Sequence, residues 1–225
     1  MSSSVQPQRF GVIGSGSVGR ALARGLSAHG YEVRIATRTA GKLGSFSKET
    51  GIPEGRFDEV AAWAEAVVLA IRGTAALDAL ALIGCGNLAG KPVLDTTNPL
   101  EPGSPADDGV IRAFTGPNDS LMERLQAACP DAHFVKVFNS VGNPMMAHAP
   151  VYPSGRATMF YCGNDEGAKA VVARVLEQFG WKGADMGRAA AARLIEPLCQ
   201  LWCLQGFLSH RWDHTVEILT PQVVP

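Results

Sequence analysis

The chain of 225 residues carries almost no net charge: 20 Lys and Arg stand against 21 Asp and Glu, a formal balance of -1. A domain that holds nucleic acid or another polyanion by bulk charge is strongly basic, so this balance argues against that class, and no nucleic-acid partner is expected. There is no apolar run of the roughly 18 to 20 residues that a bilayer crossing needs. The first residues, Met1 to Gln8, are polar and include serines and a proline. That is unlike the basic-then-apolar pattern of an export signal, so a cytoplasmic protein without membrane contact is expected. Also missing is a CxxC pair. The five cysteines, Cys85, Cys129, Cys162, Cys199 and Cys203, are odd in number and scattered. They fit buried small hydrophobes in a reducing compartment better than a disulfide framework. Cys199 and Cys203, four residues apart, share a helix face and read as core packing. Finally, His29, His133, His148, His210 and His214 show neither metal-ligand spacing nor an evident carboxylate neighbour. No metal site and no catalytic acid–base set is expected.

What is present is enough apolar material for a sizeable core, with 46% hydrophobic and 18% charged residues. At this length the chain makes one large domain or one domain with a small annex. After a disordered start over residues 1–8, Phe10 to Ile13 forms a short apolar run that ends in Gly14-Ser15-Gly16-Ser17-Val18-Gly19. Val18, Leu22, Gly25 and Leu26 follow at helical spacing, Gly30 closes that helix, and a second strand spans Tyr31 to Ala36. This is a βαβ unit of the parallel-sheet kind. Ala66 to Ile71 reads as a strand buried on both faces, as parallel sheets require. Thr74 then caps a helix through Ile83, and Pro92 to Thr97 is a further strand. Glu101 to Asn118 is a long loop of the kind that is often functional. Ser120 to Cys129 is helical, His133 to Phe138 is a strand, and 139–156 is loop-like. Thr158 to Cys162 and a helix from Asn164-Asp165 follow. The tail from Arg188 to about Trp212 is helical, with Pro197 expected to kink or break it. The fold class is α/β, a Rossmann-type doubly wound parallel sheet with a small C-terminal extension.

The glycine turn carries the chemistry. Gly14 allows a tight turn, Gly16 lets the backbone approach a pyrophosphate, and Gly19 permits close helix–strand packing. The helix start offers unpaired N–H groups and the positive end of a dipole to the phosphates. An NAD-binding site places an acid about 20 residues further on, against the ribose 2′-hydroxyl. Here that place holds Thr37-Arg38-Thr39 with Lys42 nearby, and no acid occurs between Glu32 and Glu49. A guanidinium clamps a 2′-phosphate, and Thr37 adds a hydroxyl donor. The expected cofactor is therefore NADP.

The sequence resembles the F420-dependent NADP oxidoreductases, whose cofactor domain is shared with the reductase domains of the six-transmembrane metalloreductases. The resemblance spans roughly Arg9 to Leu208. It rests on the glycine turn, Thr37-Arg38, Asp95-Thr96-Thr97-Asn98-Pro99, Val135-Lys136-Val137-Phe138-Asn139-Ser140, Cys162-Gly163-Asn164-Asp165 and Ala192-Arg193-Leu194-Ile195-Glu196. It implies that residues 9–140 form an NADP-binding Rossmann domain and that 141–225 close a cleft for a second cofactor, F420 or a flavin. It further implies that Ser15, Gly16, Ser17 and Val18 hold the pyrophosphate and that Thr37, Arg38 and Lys42 hold the 2′-phosphate. Ile71 joins these cofactor-binding residues, and Asn98, Pro99, Asn139, Ser140 and Val141 lie near the nicotinamide and the second ring. Lys136, mid-strand among apolar neighbours, either lies near that site or simply reaches a strand end.

Hydride transfer between two redox cofactors needs no acid–base triad, because positioning the rings does the work. The long Glu101 to Asn118 loop, Gly142 to His148 and Val151 to Arg156 depart from the family pattern, which leaves open an NADPH-dependent reductase of a small carbonyl or imine. The lack of a recognisable acid–base residue leaves open an NADP-binding sensor or redox partner without turnover. Leu198, Leu201, Trp202 and Leu208 exceed what a surface helix needs, so the tail is expected to pack in the cleft or across a homodimer interface.

Overall fold

The computed structural model describes residues 7–103, 107–153 and 155–219. The disordered start expected over 1–8 falls, for residues 1–6, outside that set. Strand β1 (Arg9–Ile13) is buried from Phe10 onward and feeds α1 (Ser17–Ala28). The buried positions of α1, Gly19, Leu22, Ala23 and Leu26, recur at helical spacing and turn one face to the sheet. Then come β2 (Glu32–Ala36), α2 (Gly44–Thr50), β3 (Glu54–Gly55), α3 (Phe57–Trp63) and β4 (Ala66–Leu69). A 3-10 turn (Gly73–Ala75) precedes α4 (Ala76–Ile83), followed by β5 (Pro92–Asp95), α5 (Leu121–Ala128) and β6 (His133–Lys136). The last third holds α6 (Asn143–Met146), the small hairpin of β7 (Val151–Tyr152) and β8 (Gly155–Arg156), then β9 (Thr158–Gly163), α7 (Glu166–Gln178), β10 (Lys182–Asp185) and α8 (Ala192–Ser209).

One eight-stranded sheet runs in the order β10-β9-β6-β5-β4-β1-β2-β3. Neighbours are parallel except β6 and β9, which pair antiparallel with Val135 opposite Gly163. The expected parallel sheet is thus corrected at one junction, and residues after 141 add two strands to the same sheet. Alternate strand residues enter two separate cores. Phe10, Val12, Ile35 and Val68 pack with Leu22 and Leu26 of α1 and Val172 and Leu176 of α7. Ile13, Val67, Leu69 and Val93 pack with Val60 of α3, Leu80 of α4, Leu125 of α5 and Ile195 of α8. Burial of β4 on both faces is what its unbroken Ala66-Val67-Val68-Leu69 run requires.

Several local expectations change. Thr74 makes no capping hydrogen bond; it sits inside the 3-10 turn that leads into α4. The Ser120 hydroxyl does cap α5, accepting from Glu123 N. Helix α8 continues through Pro197 rather than ending there. The stretch 139–156 is not all loop, since it holds α6 and the β7–β8 hairpin. Cys85 and Cys129 are joined by a disulfide, their Cα atoms 5.2 Å apart, which corrects the expectation of unpaired thiols. The sequence separates the two by 44 residues, and the fold brings them together by laying the end of α4 beside the end of α5. The tail divides: Ile195 and Trp202 are buried, while Leu194, Leu201 and Leu208 are 75%, 54% and 66% exposed. Among the described residues no helix is long and apolar enough to cross a membrane.

Candidate functional site

The parallel strands end along one rim, where β1 gives way to the glycine turn. Gly14 has φ +128°, and a Cβ there would run into the Ala70 carbonyl oxygen. A Cβ on Gly19 would strike the carbonyl oxygen of Gly14. Gly16 differs: its backbone is extended and a Cβ would meet nothing within 4 Å. Of the three glycines only Gly16 has open space in front of its α-carbon. Arg20 Nε donates to Ser15 O at 3.1 Å and braces the loop. No side chain caps α1, so its first N–H groups face outward unclaimed.

A cleft of about 620 Å³ opens over this turn. Gly14 to Val18 form its floor, Thr37, Arg38, Thr39 and Lys42 one end, and Ile71, Arg72 and Thr96 the other. Ala75, Asp78, Ala79 and Leu82, from α4 and the turn before it, form a wall. The segment after β2 is shaped by Glu54 of β3, whose carboxylate accepts from Gly41 N at 2.6 Å and Leu43 N at 2.8 Å. Thr39 N donates to Thr37 Oγ1 at 3.3 Å. Arg38 and Lys42 are exposed and, among the described residues, have no ion-pair partner. An adjoining pocket of about 550 Å³ continues past Arg38 between Arg56, Phe57 and Leu82. There Arg56 is held by Asp58, with Nε 3.1 Å from Oδ1.

The ends of β5 and β6 are tied by buried polar groups. Lys136 Nζ lies 2.7 Å from Asp95 Oδ2 and 2.9 Å from Glu196 Oε1. Asn98 Nδ2 donates to Asn139 O at 2.9 Å, and Asn139 Nδ2 donates to Ile195 O at 2.9 Å. Just before Asn139, Phe138 adopts φ +59°, a region an aromatic residue rarely enters, and is fully buried.

Of the residues singled out from sequence, Gly14, Ser15, Gly16, Ser17, Val18, Thr37, Arg38, Lys42 and Ile71 line the cleft together. Gly19 lies beneath it as packing. Asn98, Pro99, Asn139, Ser140 and Val141 are outside the lining; apart from the half-buried Asn98 they are buried, and they form the hub at the ends of β5 and β6. Thr39 and Thr96 stood within motifs read from the sequence but were given no binding role, and Arg72 and the whole contribution of α4 were missed. The signal for Arg72 and Thr96 was available, since Arg72 comes three residues after β4 and Thr96 directly after β5, on the same rim as the glycine turn.

These features fit a phosphorylated dinucleotide: an uncapped helix start, open space at Gly16, and two cations one strand away that have no ion-pair partner among the described residues. The family profile described as NADP oxidoreductase coenzyme F420-dependent matches residues 9–99. A candidate F420-dependent NADP-reductase from Arthrobacter sp. FB24 is 32% identical, with a TM-score of 0.83 covering 94% of this chain and 99% of that one. The metalloreductase STEAP3 of Rattus norvegicus is 27% identical over 194 residues, 84% of this chain. The match takes in 36% of that protein, so the chain spans about a third of the length of this curated relative. An imine reductase from Aspergillus terreus, solved with NADPH4 and a dibenzazepine, has a TM-score of 0.63 at 20% identity, covering 92% of this chain and 64% of that one. At that identity the likeness carries the fold alone. The chain belongs to the coenzyme F420-dependent NADP oxidoreductase family, a family of NADP-dependent oxidoreductases.

Proposed function

We propose that the protein passes a hydride between NADP(H) and a second redox cofactor, coenzyme F420 or a flavin. Thr37, Arg38 and Lys42 would hold the 2′-phosphate, and the backbone of Ser15 to Val18 with the start of α1 would hold the pyrophosphate. Ile71, Arg72 and Thr96 would flank the nicotinamide, and the part of the chain after residue 141 would close the far side of the cleft. When bound, the nicotinamide supplies the two-electron carrier. The task of this chain is then to orient that ring and keep water from it, for which packing and fixed hydrogen bonds suffice. The observation that carries the NADP half of the reading is the pair of cations, Arg38 and Lys42, without an ion-pair partner among the described residues and beside a turn against which the carboxylate of Glu54 is occupied by two backbone N–H groups. Membership of the family supports the choice of acceptor.

The test is NADPH oxidation followed at 340 nm against F420, FMN, FAD and a set of small ketones and imines. Turnover with F420 or a flavin supports the reading. Turnover with only the carbonyls or imines would replace it, and tight NADPH binding with no turnover at all would favour a sensor. We further propose a homodimer. Leu194, Leu201 and Leu208 recur every seven residues on α8 and are exposed, the spacing of a helix seam. Sedimentation of a Leu201→Glu variant as a lighter species than the parent would support this.

A further inference from the structure

The end of β5 carries a charge cluster that the nucleotide grip does not use. Lys136 and Asp95 are wholly buried, and Glu196 is 2% exposed. Lys136 Nζ, besides its two carboxylates, donates to Thr97 O at 2.8 Å. Asp95 Oδ1 accepts from Thr97 N at 2.9 Å and from the Thr97 hydroxyl at 2.7 Å. Glu196 accepts from Leu121 N and Met122 N, each at 2.9 Å. Burial pushes the Lys136 ammonium down, but Asp95 and Glu196 outweigh it and hold the group above its ordinary value, so it stays cationic. Such a buried ion cluster seldom adds stability over well-packed apolar side chains of similar volume. Its geometry points elsewhere: the N–H, carbonyl and hydroxyl of Thr97 are all bound to Asp95 or Lys136.

Thr97 is the middle of the turn that follows β5. On one side Thr96 lines the cleft, its own hydroxyl donating to Leu69 O at 3.0 Å. On the other side Asn98 is clasped to Asn139. The sheet order β5-β4-β1-β2 places Thr96 at the opposite end of the cleft from Arg38, with the glycine turn between them. A dinucleotide whose 2′-phosphate meets Arg38 and whose pyrophosphate crosses the glycine turn brings its nicotinamide to Thr96.

We infer that Asp95, Lys136 and Thr97 are positioning residues for the nicotinamide half of the nucleotide, fixing the turn 96–98 against which that ring lies. This rests on the NADP(H) reading of the cleft. Adenosine 2′,5′-bisphosphate separates the two, because it keeps the contact to Arg38 and lacks the nicotinamide. Affinities for it and for NADP+ are measured by calorimetry on the parent, on Thr97→Val and on Lys136→Met, with thermal midpoints as a check on folding. Thr97→Val should weaken NADP+ about threefold and Lys136→Met about tenfold or more, the scale of one neutral and one charge-assisted hydrogen bond. Both variants should keep the bisphosphate within about twofold. Should Lys136→Met fail to fold, Thr97→Val decides, since it removes one hydroxyl at nearly constant shape. Equal losses for both probes, or unchanged NADP+ affinity in folded Thr97→Val, would overturn the inference. Failure of the parent to bind the bisphosphate would instead bring down the nucleotide reading, and this inference with it.

Discussion

Replacing Arg38 by alanine is the most direct trial of the cofactor assignment. The side chain is exposed and has no ion-pair partner among the described residues, so its loss leaves nothing stranded inside the protein. A surface change of that kind moves stability by no more than about 0.5 kcal/mol, which keeps the binding measurement clean. A charge-assisted hydrogen bond to a phosphate contributes about 1.5 to 3 kcal/mol, so NADPH affinity should fall roughly 10- to 150-fold. NADH, lacking the phosphate, should be nearly untouched. Lys42 lines the same end of the cleft, so the single variant should retain part of its preference and the double variant with Lys42→Ala should abolish it. Titration calorimetry with both nucleotides, at one fixed ionic strength because exposed charges are screened over about 8 Å at 0.15 M salt, gives the comparison. A parallel loss for NADPH and NADH, or an unchanged NADPH affinity, would refute the reasoning.

Glycine variants should separate binding from folding. Gly16→Val adds a side chain where no atom lies within 4 Å, so the melting temperature should hold while nucleotide binding disappears. Gly19→Ala drives a methyl into the Gly14 carbonyl oxygen and should destabilise by about 1 to 3 kcal/mol; chemical denaturation checks both, and a stable Gly19→Ala would count against the packing role. Glu54→Ala should weaken NADPH binding several-fold by freeing the Gly41 and Leu43 N–H groups, whereas simple charge removal near a phosphate site predicts tighter binding, so the sign alone decides. The cysteines should differ in native-state alkylation. Burial pushes the Cys162 thiol up to about 12, and it should resist iodoacetamide. The Cys203 thiol is drawn down by a hydrogen bond from Cys199 and is partly exposed, so it should react first. Peptide mass mapping that found the reverse order would contradict this.

What was legible in the sequence was local. The apolar Phe10 to Ile13 run, the glycine turn and the helical spacing of Leu22 and Leu26 lie within about 20 residues of one another, and together they place β1, α1 and β2. The cations at 38 and 42 were visible because an expected acid was missing. The reversal at β9 was hidden, because Thr158 to Gly163 is apolar whichever way it runs and its direction is set by its partner β6. Strand β10 has the sequence Lys-Gly-Ala-Asp, poor in the branched residues that mark strands, and pairing with β9 forms it nonetheless. Pro197 was expected to kink or break the tail helix, and it is not a break, because packing of Ile195, Cys199 and Trp202 on one side carries α8 past it. The ion cluster was half visible: Asp95, Lys136 and Glu196 each interrupt an apolar stretch, but nothing local says that the three meet.

The reversal between β6 and β9 gives the molecule two unlike edges. Strands β9 and β10, and helix α7 with its Asp165 cap, end or begin on the side away from the glycine turn. There His133, Asn164 and Arg188 surround a separate hollow of about 660 Å³. Arg188 lies in the turn after β10, on that side of the sheet, so a label attached there would leave the cleft over the glycine turn clear. That makes the edge a convenient anchor for immobilising the protein while its other end is titrated.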